Sequence, residues 1–273
     1  MSYKVILRLI LALLITLAAG YYQRKTGPTN PIEDKITWQG IQISYNLLRS
    51  HGGEGDQPVT LTVADTSMDA LLVFRKFKSG ERWTGMLMKK ENTTYTARIP
   101  HQPPAGKIEY FIVFNKQDQS LLVPADQSVV TRFKGEVPAA LLNPHILLMF
   151  VAMLFSTAAG LEALVISNFA YKFALWATIA LFIGGMLLGP VVQKFAFGEF
   201  WTGVPFGFDL TDNKTLLAML AWLMAVWKGW GNKPARIWII SAAIILLMVY
   251  SIPHSVMGSE LNYQTMQVET GKN

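Results

Sequence analysis

Between residues 38 and 135 the chain alternates apolar and polar side chains in short runs, and on both sides of that stretch it becomes continuously apolar. The alternating runs are VTLTVA (59–64), ALLVFRKF (70–77), TYTARIP (94–100), KIEYFIVF (107–114), SLLVP (120–124) and SVVTRF (128–133). A period of two puts successive side chains on opposite faces, so each run predicts a β-strand. Gly52-Gly53, Ser79-Gly80, Pro103-Pro104-Ala105-Gly106 and residues 115–119 supply the turns. Short strands at this spacing predict an antiparallel β-sandwich over residues 38–136. His51 and His101 fall in its predicted turns and read as exposed histidines.

The apolar stretches predict helices. Residues 5–22 are apolar, preceded by Lys4 and containing Arg8. A cleaved signal peptide and a retained span both fit, since Leu17-Ala18-Ala19-Gly20 offers a small-residue cleavage site. The length of the run and the Tyr21-Tyr22 pair favour a retained anchor over residues 1–22. Residues 23–37, polar and broken by Pro28 and Pro31, read as a linker. Beyond the sandwich come four apolar segments, 146–166, 173–192, 216–227 and 237–252, which predict a four-helix membrane domain over residues 137–253. A tail, residues 254–273, follows. Ser156/Gly160 and Gly185/Gly189 have the small-residue spacing that lets helices approach closely.

Composition agrees with this layout. The 273 residues are 51% hydrophobic and only 15% charged, with mean hydropathy +0.30, whereas soluble domains carry about 25% charged residues. The net charge of +6 would suit nucleic acid if Lys and Arg shared one soluble face. Many of them flank apolar segments instead, which argues against a nucleic-acid partner. Lys4 and Arg8, Lys172, and Lys228, Lys233 and Arg236 mark three places that the positive-inside rule assigns to the cytoplasm. The N-terminus is then inside; the sandwich, the loop 198–215 and the C-terminus lie outside. Cysteine is absent, which excludes thiol catalysis, Cys-ligated zinc, iron–sulfur clusters and covalently attached c-type haem.

The candidate chemistry collects at that outer boundary. The loop GEFWTGVPFGFDLTDNKT (198–215) concentrates glycines, aromatics and the acids Glu199, Asp209 and Asp212 between two apolar segments. His145, after Pro144, opens the second predicted span, and His254, after Pro253, closes the fifth. With Met149 and Met257 nearby, the two histidines are candidate ligands for a transition metal or, axially, a b-type haem. Ser255, Ser259 and Glu260 follow His254. Glu199, Trp201, Asp209, Asp212, Asn213 and Glu260 are the candidate outer-face interaction residues. The plainer reading of DLTDNKT is a helix start, with Asp209 or Thr211 as N-cap and Asp212 in the first turn; the aromatics then form an interfacial belt. Glu162, alone inside an apolar run, is expected to pair with Lys172 or Arg236.

Two resemblances add to this reading. YTARIPHQPPAGKIEYFIV (95–113) resembles the penultimate hairpin of bacterial immunoglobulin or fibronectin-III-like domains, which implies that sandwich fold and leaves function open. YYQRKTGPTNP, WTGVPFGFDLTDNKT and IPHSVMGSEL resemble features of a bacterial inner-membrane family of unassigned activity. That likeness implies a multi-pass bacterial inner-membrane protein with a periplasmic domain, and no catalytic residues to transfer. The expectation is a non-enzymatic accessory or scaffold protein, without a predicted cofactor, whose periplasmic face binds a membrane or periplasmic protein. The alternative is a redox subunit with haem b or a transition metal at His145 and His254; a transporter or channel component comes third.

Overall fold

The fold is taken from a computed structural model that describes residues 2–64, 67–231, 233–254, 256 and 258–270. It joins a β-sheet domain to a set of helices, three of which are long and apolar enough to cross a membrane: Tyr3–Thr26, Ala139–Leu164 and Ala170–Phe197.

Helix α1 (Tyr3–Thr26) is a run of Leu, Ile and Ala that ends where Gly27 turns extended ahead of Pro28. One face packs against later helices through Val5 and Ala12; Leu7, Leu14 and Leu17 stand exposed on the other.

Eleven strands follow: β1 (Ile32–Trp38), β2 (Ile41–Leu47), β3 (Ser50–Gly52), β4 (Gln57–Val63), β5 (Asp69–Lys76), β6 (Thr84–Leu87), β7 (Lys89–Glu91), β8 (Thr94–Ile99), β9 (Lys107–Lys116), β10 (Gln119–Val123) and β11 (Val129–Lys134). One sheet has the order β1-β2-β4-β8-β7, the other β3-β11-β9-β5-β6, with β10 on β9. The two sheets share one apolar core. Alternation builds it: Ile41, Ile43, Tyr45 and Leu47 of β2 and Val59, Leu61 and Val63 of β4 point inward, and the residues between them point out. Tyr95 of the first sheet meets Phe114 of the second edge to face at 5.9 Å, and its hydroxyl donates to Met68 O at 2.6 Å.

Three expectations are corrected. The predicted linker 23–37 is mostly structured, because α1 runs to Thr26 and Ile32 already begins β1, paired with β2 along its length. The stretch 95–113 is not a hairpin: β8 pairs with β4 and β7, β9 with β5, β10 and β11, so the chain crosses from one sheet to the other at Pro103–Gly106. His51 lies in β3, not a turn, and both His51 and His101 set their rings edge-on to Phe133.

Helix α2 (Ala139–Leu164) starts two turns before the predicted apolar segment, so Pro144 and His145 sit inside it instead of opening it. Next come α3 (Ala170–Leu181), a π-helical segment (Phe182–Leu188) and α4 (Gly189–Phe197), which run on as one helix; α5 (Leu210–Gly229) and α6 (Arg236–Ser251) complete the set. The five expected spans exceed the three that length and composition allow among the described residues. Helix α5 carries Asp212, Lys214 and Lys228, and α6 has only 16 residues, about 24 Å at 1.5 Å per residue. Both nevertheless pack into the helical core, through Ala218, Trp222 and Ala225 and through Ile239, Ala242 and Leu246.

Small residues allow the helices to close in. A Cβ on Gly160 would come within 2.8 Å of Ala243 Cβ, and one on Gly184 within 2.8 Å of Leu148 Cβ. Glu162, fully buried, pairs not with Lys172 or Arg236 but with Arg8: Nε to Oε1 at 2.6 Å, Nη2 to Oε2 at 2.9 Å. Arg236 donates to Leu164 O at that same end of the bundle. At the opposite end, Gln23 reaches His254 and Lys214 reaches Ile252 O. That end meets the β domain.

Candidate functional site

Strand β11 runs off the sheet toward α4. The Gly135 N–H donates to Ala196 O at 2.9 Å, and the backbones approach so closely that a Cβ on Gly135 would run into the Phe195 carbonyl. This contact carries Arg132 of β11 to the end of the helices, where its guanidinium lies 3.8 Å over the Phe197 ring and Nη2 donates to Ser259 O at 2.5 Å. Sequence patterning missed Arg132. In the structure Thr131, Arg132 and Phe133 are all buried in succession, a break of alternation that the sequence itself does not show.

The start of α5 supplies the acids. Asp209 is the N-cap: Oδ1 accepts from Thr211 N at 2.8 Å, and Oδ2 from Ser259 N and Oγ, both at 2.9 Å. Asp212, in the first turn, does more than complement the helix dipole. Its Oδ2 accepts from Thr202 N at 2.6 Å, Thr202 Oγ1 at 3.2 Å and Gln193 Nε2 at 3.1 Å. Thr202 and Ser259 hydroxyls meet at 3.0 Å, closing a lattice that joins loop, helix and tail. Gln193 and Thr202 had no recognisable sequence signal, since each acts only through tertiary contact; Ser259 stood among the polar residues after His254, but its partners did not show.

The remaining candidates separate. Trp201 Nε1 donates to Val204 O, and Asn213 Oδ1 accepts from Val204 N, so both brace the loop. Phe206 and Phe208 project, 82% and 73% exposed. Glu199 is exposed. Glu260 lies in the tail, where β12 (Glu260–Asn262) pairs with β13 (Gln267–Glu269), and it bonds Lys107 at 2.6 Å. Burial outweighs that partner and lowers the Lys107 pKa. Tyr263 donates to Lys107 O at 3.0 Å, strapping the tail to the β domain. Tyr263→Phe removes one such bond, and the expected loss is about 1 kcal/mol. It should appear as faster proteolytic release of the tail with the helices unchanged; unchanged release would show that the strap rests on other contacts.

A cavity of about 140 Å³ lies at this junction, and His145 and His254 both line it. So do Arg132, Met149, Trp201, Asp209 and Asp212. Two histidines far apart in sequence therefore share one chamber. The His145 Nδ1 lies 2.9 Å from Gly184 O, in the π-helical segment; a carbonyl only accepts, so Nδ1 carries the proton and Nε2 offers a lone pair. The His254 Nδ1 lies 2.9 Å from Gln23 Nε2; with the amide donating, its proton sits on Nε2. His254 keeps an exposed side, yet crowding of its ring, then the Lys214 charge, holds its pKa below the ordinary imidazole range. Burial pulls the Arg132 guanidinium down to about 10 against the opposing charges of Asp209 and Glu260.

The fit to a metal or haem is partial. His145 and His254 could present two nitrogens, but among the described residues no three His, Asp or Glu side chains gather to hold an ion. Asp209 and Asp212 already accept bonds from Thr211, Ser259, Thr202 and Gln193. A chamber of about 140 Å³ is also well below the roughly 300–1,000 Å³ of sites for larger ligands, which favours a small ion over a haem. Met257 and Ser255 lie outside the described residues. Compared with known proteins, the chain matches no family model and no curated sequence.

Proposed function

We propose that the chain is a bacterial inner-membrane accessory or scaffold protein without enzymatic activity, whose periplasmic immunoglobulin-like domain binds a protein partner through one sheet face. The observation that carries this is a row of apolar side chains across the outer face of the second sheet. Leu87 of β6 pairs with Leu71 of β5, Leu71 with Val113 of β9, and Val113 with Leu122 of β10. Directly paired residues project to the same side. Leu87 is 68% and Leu122 48% exposed, and Trp83 packs edge-on to Phe111 beside them. An antiparallel sheet facing water normally presents polar side chains there, and a contiguous apolar patch marks an interaction face.

The strand order supports the immunoglobulin-like assignment. The sequence β2-β4-β8-β7 in one sheet and β11-β9-β5 in the other follows the A-B-E-D and G-F-C order of that fold. Five spans are supported by the packing of α5 and α6 alongside the longer helices. Orientation is supported by the basic residues at the end remote from the β domain, Arg8 and Arg236 among them.

The test is a photo-cross-linking residue at Leu122, with Thr60 on the first sheet's outer face as control. A specific protein adduct at Leu122 that Leu87→Glu abolishes is expected; equal labelling at both positions would remove the partner face. Reporters fused after Asn232 and Gly198 are expected to read cytoplasm and periplasm. The second reading, a redox or metal-binding subunit, draws on the chamber that His145 and His254 share. It requires a haem band or stoichiometric metal in the purified protein that disappears in His145→Ala and His254→Ala.

A further inference from the structure

We infer that the junction cavity is a binding site for a phosphate-class oxyanion, with Arg132 as its principal anchor. The inference is independent of the partner face and competes with a metal at the two histidines.

Arg132 lines the cavity, is only 8% exposed, and its Nε has no hydrogen-bond partner in the chain. None of the ion pairs among the described residues involves it. A buried donor or charge left without a partner is costly, and such groups are nearly always satisfied. Asp209 and Glu260 support the charge from a distance, but neither accepts a bond from Nε: Asp209 accepts from Thr211 and Ser259, Asp212 from Thr202 and Gln193. A metal ion brought here would meet a buried guanidinium. An anion would complete it, and a guanidinium fork is the side chain best matched to phosphate.

The histidines sharpen the choice of anion. By the bonds their Nδ1 atoms make, His254 offers an Nε2–H donor and His145 an Nε2 acceptor, both in residues lining the cavity. Arg132 and His254 thus supply two donors and His145 one acceptor; the Asp209 and Asp212 carboxylates in the same wall repel an anion, and the Ser259, Thr211, Thr202 and Gln193 donors already bonded to them offset part of that charge. Hydrogen phosphate, or the monoanion of a phosphomonoester, has oxygens for the donors and an O–H for the acceptor. Sulfate has no such proton. The cavity, about 140 Å³, suits a group of a few heavy atoms. The phosphate can arrive free or as the monoester headgroup of a lipid, since the site lies where the β domain meets the helices.

The experiment uses the full chain in lipid-free maltoside micelles. Titration with inorganic phosphate, potassium sulfate at matched ionic strength, short-chain phosphatidic acid and zinc is followed by calorimetry and by ³¹P line width. Saturable binding of phosphate or phosphatidic acid is expected, with sulfate weaker by about tenfold or more. Arg132→Gln should weaken it by about 10- to 100-fold, the worth of a charged hydrogen bond. Binding of phosphate alone identifies a free anion, and binding of phosphatidic acid alone a lipid headgroup. Equal binding of sulfate, equal response of wild type and Arg132→Gln, or saturable binding of zinc alone would overturn the inference. If Arg132→Gln fails to fold, the wild-type ³¹P titration decides: no saturable broadening with either phosphate source overturns it as well.

Discussion

Asp212→Ala should destabilise the protein by about 3 kcal/mol and free the loop 198–209. The loss comes from stranded donors. Asp212 is 5% exposed and Thr202 8%, and a single carboxylate oxygen accepts from the Thr202 N–H, the Thr202 hydroxyl and the Gln193 amide. Alanine leaves a buried backbone N–H with no acceptor, at about 1–3 kcal/mol, and removes charge-assisted bonds besides. Asp212→Asn keeps one acceptor oxygen and should lose about half as much. Unfolding in mixed micelles measures the stability, and limited proteolysis at residues 200–208 the loop. Wild-type stability in Asp212→Ala would mean that the loop is held by Trp201 and Asn213 at Val204 instead, and that the lattice around Thr202 is incidental.

That prediction turns on a part of the site that the sequence did reveal and a part that it could not. The helix start at Asp209 was legible because a cap is a local device, with the acid two residues from the N–H it accepts from. The use of Asp212 was not, because its partners sit ten and nineteen residues upstream. Strand β4 was legible because one face is buried, with Val59, Leu61 and Val63 inside, although β2, which buries Ile41, Ile43, Tyr45 and Leu47, was missed. Strand β1 was not legible, because it is an edge strand with no fully buried residue and opens with Pro31 beside it. Alternation identifies strands but not the sheet each one joins, so it could not correct the hairpin that the resemblance of residues 95–113 implied for β8 and β9. The Pro-His pairs indicated a common level for His145 and His254. Only the π-helical segment, whose Gly184 carbonyl accepts a hydrogen bond from His145 Nδ1, explains how a histidine two turns inside α2 faces the cavity. Nothing local marks Arg132, since an arginine in a strand is ordinarily a surface residue.

Separately replacing Arg8 or Glu162 by Leu should lower the melting temperature by about 5 °C or more, while the double replacement recovers most of the loss. Glu162 is fully buried between helices, and Arg8 grips it with two parallel bonds, at 2.6 Å and 2.9 Å. Arg8→Leu leaves the fully buried Glu162 carboxylate without its cation, the costlier case; Glu162→Leu leaves Arg8, whose side chain is 22% exposed, without its anion. Removing both charges replaces a costly desolvated pair by leucines of similar bulk, which is commonly neutral. Arg8→Lys should fall between, because an ammonium cannot reproduce the planar fork. Additive losses in the double variant would show that the pair contributes no mutual stabilisation and that α1 is held by its other contacts, Val5, Ala12 and the Gln23–His254 bond among them. The same pair bears on the N-terminal segment. Cleavage near Ala19 would carry away Arg8 and leave the buried Glu162 carboxylate without its cation, so the mature protein is expected to retain α1. Intact mass of the membrane-extracted protein checks this: a species lacking residues 1–20 that melts like the full chain would remove the pair from any structural role.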